Sequence, residues 1–154
     1  MNVKAALSPD DLARACADAM WKDDDASSGL GMTIVDIGPG RATLTMTVQP
    51  LMVNGQRIAH GGFIFTLADS AMAFACNSHN EKAVAAHGNI TFIRPGKLGD
   101  RLTATAREIS RSGRSGIYDV RVTVDDEVIA EFRGHSRTIG GTWLPVGETD
   151  TRKN

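Results

Sequence analysis

In the stretch HGGFIFTLADSAMAFAC, residues 60–76, a single formal charge follows the histidine, Asp69, set among glycine, alanine and large apolar residues. No lysine or arginine lies along it to neutralise that carboxylate. A helix apolar on nearly all sides belongs inside a fold, wrapped by other elements. This one is too short, and too broken by Gly61, Gly62 and Asp69, to cross a bilayer. An unpaired buried carboxylate is expensive, so it shifts its pKa or finds strong hydrogen bonds. Were Asp69 the cap of a second helix starting at Ser70, a Glu or Gln would be wanted three residues on, where Met72 stands. Spacing alone leaves two readings of Asp69, a structural acceptor of backbone N–H bonds and a catalytic group.

Upstream, Ser8-Pro9-Asp10-Asp11 has the form of a helix start, with a capping serine, proline in the first turn and acids at the positive end of the dipole. Leu12, Ala15, Cys16, Ala19 and Met20 recur at helical steps and predict an amphipathic helix to about Lys22. The polar run DDDASSG (23–29) reads as a linker. The period then changes to two over residues 32–37. After the turn Gly38-Pro39-Gly40, Ala42, Leu44, Met46 and Val48 alternate with Thr43, Thr45 and Thr47. Residues 50–59 are irregular and include the turn signal Asn54-Gly55.

Downstream, four more strands are expected. Residues 83–93 end at Arg94-Pro95-Gly96, and 101–109 end at SRSGRSG (110–116), which reads as flexible. Residues 117–124 meet a tight turn at Asp125-Asp126, and 127–138 pair back. The tail from Gly140 is polar and expected to be loose. Short connections imply an antiparallel sheet, and a sheet curled around the apolar helix gives an α+β domain. The divisions are an N-terminal helix and linker over 1–26, the main domain over 27–140 and a polar tail over 141–154.

A chain of 154 residues suits one domain with a real core. Hydrophobic residues at 42% and charged residues at 23% are globular values that exclude general disorder. A formal net charge of −1 argues against nucleic-acid and membrane-surface partners. Cys16 and Cys76 have no metal-ligand spacing, and His79, His87 and His135 are scattered, so no metal site is expected. Cys76 continues the apolar run and reads as a buried, reduced thiol. The first residues carry acids where a signal peptide would need an apolar stretch, which predicts a cytoplasmic protein.

The motif text adds a resemblance. Asn54, His60-Gly61-Gly62, Leu67-Ala68-Asp69-Ser70, Asn89-Ile90-Thr91-Phe92 and Arg94-Pro95-Gly96 together resemble the hotdog-fold acyl-CoA thioesterases of the PaaI type. That resemblance covers roughly residues 27–140. It implies a sheet wrapped around a central helix, and hydrolysis of an acyl-CoA such as phenylacetyl-CoA or hydroxyphenylacetyl-CoA, with no cofactor beyond the coenzyme A of the substrate. It implies Asp69 as general base or nucleophile and Gly61 as the backbone N–H that polarises the carbonyl. Asn54 would place water or carbonyl, and His60 would shape the turn. Some relatives carry a hydroxyl near the start of the third strand, where Ala85 stands here.

The chemistry agrees. Thioester hydrolysis needs a base for water and donors for the developing oxyanion. Helix N-termini offer unsatisfied N–H groups, and glycine admits a ligand close to the backbone. Yet Gly61 and Asp69 lie eight residues apart, about 12 Å along a helix axis, so one helix cannot supply both groups to one carbonyl. An antiparallel second copy would bring them together, which predicts a homodimer with shared sites; the resemblance implies that such dimers pair further, here into a homotetramer. Gly62 and Phe92 are expected beside the substrate. Arg94, Lys97, Arg111, Arg114 and Arg137, with Gly113 in the loop, are the candidate partners of the coenzyme phosphates. Two other functions fit the same fold: a non-catalytic acyl-CoA binding protein and an enoyl-CoA hydratase.

Overall fold

The computed structural model describes residues 6–146. The apolar stretch forms one unbroken helix, here α3 (Gly61–Cys76). It runs straight through Asp69, which excludes a second helix starting at Ser70. Ile64, Leu67, Ala68, Ala71, Met72, Phe74, Ala75 and Cys76 are buried along it. Two helices precede it, α1 (Pro9–Trp21) and α2 (Asp25–Gly29). Six strands surround it: β1 (Thr33–Gly38), β2 (Arg41–Thr47), β3 (Ala83–Phe92), β4 (Arg101–Ser112), β5 (Ser115–Val124) and β6 (Glu127–Thr138). They make one sheet in the order β1-β2-β4-β5-β6-β3, antiparallel at every pairing. The sheet curls around α3, which packs on β2, β4, β5, β3 and β6. This is the hotdog architecture, α+β, with an extra N-terminal helix.

The core follows from the period-two pattern. Leu44, Met46, Leu102, Ala104, Val120, Val122 and Phe132 point inward from four successive strands onto the α3 face. Asp125 and Asp126 both adopt positive φ, 48° and 66°, the backbone that a two-residue hairpin turn requires. Ser8 caps α1, its Oγ accepting the Asp11 amide at 3.1 Å. Trp21 at the other end of α1 packs on Phe74 of α3, ring centroids 6.1 Å apart.

Three expectations are corrected. The run 23–29 is not simply a linker, since Asp24 caps α2 through the Ser27 amide at 2.9 Å. Ser27 Oγ also meets Ser70 Oγ at 2.8 Å, and this tertiary bond ties the short helix to α3. SRSGRSG is not flexible, because β4 and β5 extend to Ser112 and Ser115 and close on a two-residue turn at Gly113-Arg114. Gly113 takes φ 56° there. Nor are residues 141–146 loose, as Trp143 and Leu144 dock on Asn77 and Asn80. The rest of the tail, 147–154, lies outside the described residues.

Strand β3 occupies one edge of the sheet, and among the described residues no strand covers its outer side. It is ten residues long, AVAAHGNITF, without proline, lysine or carboxylate. Val84 and Phe92 on it are about half exposed, as is the adjoining Ile93.

Candidate active site

The N-terminus of α3 is built around His60. Its ring Nδ1 accepts the Gly62 amide at 2.9 Å, and its own amide donates to the Met52 carbonyl at 2.7 Å. His60 is thereby the N-cap, a positioning role that matches the turn-shaping reading. Gly62 is committed to His60, so its amide is not available to a substrate. The Gly61 amide has no acceptor among the described residues. A Cβ at position 61 would lie 2.7 Å from Phe92 Cζ, so glycine lets the Phe92 ring approach the helix end.

Asn54 belongs to the same corner. Its Oδ1 accepts the Gln56 and Ile58 amides at 3.0 and 3.3 Å and closes the loop that leads to His60. Its Nδ2 donates to no group among the described residues, leaving one directed donor at the site. Asn54, Gly61, Ile64, Phe92 and Arg94 line an open cavity of about 470 Å³.

Asp69 lines a different cavity, of about 490 Å³, with Met20, Met72, Cys76, Ala85, Ile139 and Trp143 among its walls. Burial alone pushes its carboxyl above the ordinary aspartate value, and no hydrogen bond or cation opposes the shift. Burial likewise drives the Cys76 thiol up to about 12, with the neighbouring Asp69 charge adding to it. Ser70, next to Asp69, is engaged by Ser27. The Asp69 side chain makes no hydrogen bond or ion pair among the described residues, and a carboxyl shifted by burial at a cavity wall is a candidate functional group.

The basic residues do not form one cluster within the chain. Arg94 and Lys97 sit beyond β3, near the Gly61 end of α3, and Arg94 pairs with Glu127 at 2.7 Å in solvent. Arg111, Gly113 and Arg114 line a crevice beside Cys76 and His79, at the opposite end of α3. Arg114 donates through Nε and one Nη to the Thr138 carbonyl. Arg137 is exposed on β6 and pairs in register with Val84 of β3. Within one chain the candidate phosphate partners fall into two groups at opposite ends of the central helix.

The sequence reading missed Trp143 and Met20 in the Asp69 cavity. A tryptophan inside an otherwise polar tail was the available signal, because so large an apolar side chain gains most by docking.

Comparison with known proteins places the chain in a family. The model of the thioesterase superfamily matches residues 56–131. The acyl-coenzyme A thioesterase PaaI of Escherichia coli is 45% identical over 127 residues, 82% of this chain and 91% of that protein. The structure of the E. coli PaaI protein superposes with a TM-score of 0.86 at 43% identity, covering 88% of this chain and 99% of that one. The Streptococcus mutans protein smu.793, solved bound to acetyl-CoA, gives a TM-score of 0.70 at 27% identity over 73% of this chain and 91% of that one. Human acyl-coenzyme A thioesterase 13 is 31% identical over 79% of this chain and 90% of its own length. The chain belongs to the thioesterase superfamily, as a hotdog-fold thioester hydrolase of the PaaI type.

Proposed function

We propose that the chain hydrolyses an aryl-acyl-CoA thioester, phenylacetyl-CoA or a hydroxyphenylacetyl-CoA, to the free acid and CoA at a site shared by two copies. The observation that carries this reading is the division of parts. The uncommitted Gly61 amide and the Asp69 carboxyl line separate cavities at opposite ends of one bare edge strand, β3. A long uncharged edge with exposed apolar residues is a pairing surface. Two copies of β3 that pair antiparallel about a two-fold axis set Ala83 of one beside the partner's Phe92. The Asp69 cavity of each copy then faces the Gly61 cavity of the other. The same operation brings Arg137 and the Arg111–Arg114 hairpin toward the partner's Arg94 and Lys97, so the two basic groups converge where coenzyme phosphates need them. Two such dimers pair further into a homotetramer.

In this reading the thioester carbonyl oxygen lies against the Gly61 amide, at the positive end of α3. Asn54 Nδ2 orients carbonyl or water. The partner's Asp69 takes a proton from water as the water oxygen bonds to the carbonyl carbon. Negative charge then collects on the carbonyl oxygen. Collapse of the tetrahedral intermediate breaks the C–S bond, and the thiolate of CoA takes a proton back from Asp69. His60 serves by keeping the Gly62 amide occupied and the Gly61 amide aimed outward.

The test is free-thiol release across a panel of acyl-CoA thioesters, with Asp69→Ala beside the unaltered protein. Thiol release that falls by at least about 100-fold in the variant supports the reading. Coenzyme binding without thiol release would make the chain a binding protein. Loss of the enoyl absorbance of crotonyl-CoA without release of free thiol would make it a hydratase.

A further inference from the structure

The cavity that holds Asp69 has three walls from outside the span matched by the superfamily model, Met20, Ile139 and Trp143. Met20 comes from the last turn of α1, and Trp143 from the segment after β6. The Trp143 indole is fixed from several sides. Nε1 donates to Asn77 Oδ1 at 2.9 Å, and the backbone amides of Trp143 and Leu144 donate to Asn80 Oδ1 at 3.0 and 2.9 Å. Lys82 Nζ stands 4.8 Å from the ring centroid, a cation–π distance. Asn77 is itself buried and fully used, its Nδ2 donating to the Ala73 and Ala83 carbonyls and its Oδ1 also accepting the Ala83 amide. The end of α3, the start of β3 and the indole are therefore joined through one amide side chain. Met20 is placed by its neighbour Trp21, whose ring rests on Phe74.

These walls have a definite chemistry. Trp143 gives a large flat π face held rigidly. Met20 and Met72 give polarisable thioethers that pack well on aromatic rings, and Ile139 gives an apolar side. The carboxyl of Asp69 is the one acidic group among the cavity walls. An acyl group whose thioester carbon is at Asp69 extends along this wall. We infer that Trp143 and Met20 are specificity-determining residues that select a flat aryl acyl group over a long flexible alkyl chain. The inference rests on the proposed thioesterase reading. It assigns the choice of acyl group to the two chain segments that flank the catalytic domain, and chemistry to the domain itself.

The experiment compares kcat/KM for phenylacetyl-CoA and decanoyl-CoA, by free-thiol release, in the unaltered protein and in Trp143→Ala, Trp143→Phe and Met20→Ala. The expected result is a fall of about tenfold in the phenylacetyl to decanoyl ratio for Trp143→Ala, the size of effect that apolar pocket contacts supply. Trp143→Phe keeps a ring while losing the bond to Asn77, and should hold the ratio within about threefold. Met20→Ala moves the ratio in the same direction and carries the test if Trp143→Ala does not fold. Equal losses on both substrates in every folded variant would overturn the inference and leave the thioesterase reading standing. An unaltered protein that releases no thiol from any member of the panel would overturn that reading instead.

Discussion

His60 Nδ1 accepts the Gly62 amide at 2.9 Å, and this one bond leaves Gly61 as the uncommitted donor at the tip of α3. The histidine thus acts through backbone geometry, as an N-cap with a ring in place of the usual hydroxyl or carboxylate. His60→Ala should cost about 1 kcal/mol of stability, the ordinary value of a lost cap. His60→Asn, which can cap, should recover most of that loss in denaturant melts. Because His60 moves no proton in this account, neither variant should shift the midpoint of the acid limb of the rate profile.

In the proposed mechanism Asp69 sets that acid limb. Burial raises its pKa, and the base must be ionised to act, so kcat/KM should fall on the acid side with a midpoint above the ordinary value of 3.8. The same shift has a stability consequence of definite sign. With the folded pKa above the unfolded one, the protonated carboxyl favours the fold. That contribution is full below the unfolded pKa and is lost as pH rises through the folded one. Asp69→Asn should therefore gain stability relative to the unaltered protein across that window, while losing turnover. Paired thermal melts from acid to neutral pH check it, and a difference independent of pH would contradict the assigned shift.

Gly61 and Phe92 should be coupled. A methyl group at position 61 would sit 2.7 Å from the tip of the Phe92 ring, which is half exposed and able to swing away into solvent or the cavity. Gly61→Ala should lower kcat/KM by about tenfold or more through the displaced ring and crowded amide. Adding Phe92→Ala should recover stability beyond the sum of the single changes, an interaction a double-mutant cycle measures directly.

The two thiols should be silent in the native protein. Cys16 and Cys76 are buried and unpaired, and the Cys76 thiol is held up at about 12. Burial raises the Cys16 thiol as well, and the reactive species is the thiolate. A colorimetric thiol reagent should read close to zero in buffer and both cysteines in strong denaturant. Rapid labelling of the native protein would show that the α3 C-terminus opens.

Much of this arrangement was legible in the sequence because local and global signals agreed. Asp125-Asp126 between two alternating runs demanded a hairpin, and the backbone there takes the two positive φ values such a turn needs. The unbroken apolar helix around Asp69 fixed what the sheet had to wrap, and the spacing of Gly61 and Asp69 already put the two in different cavities. What escaped depended on tertiary bonds. The five-residue α2 is too short to persist without its Asp24 cap and the Ser27–Ser70 contact. The Ser- and Gly-rich 110–116 run reads as loose by composition, yet both flanking strands stay paired to Gly113-Arg114, past a register shift between Glu108 and Ser110. Trp143 docks on Asn77, sixty-six positions earlier, and no local pattern encodes that bond. The separation of Arg94 and Lys97 from Arg111, Arg114 and Arg137 likewise required the sheet order, which sends β3 to the edge beside β6.

The central claim, that one copy's base serves its neighbour's helix tip, is tested most directly by mixing two defective proteins. Asp69→Ala lacks the base and Gly61→Val obstructs the amide, so each homodimer should be inactive in thiol release. Unfolded together in equal amounts and refolded, half of the dimers are mixed, and each mixed dimer holds one intact shared site. The account predicts recovery of about a quarter of the unaltered activity. Activity that stays at the level of the separate variants would contradict it, because it would place Gly61 and Asp69 of a single chain in the same site.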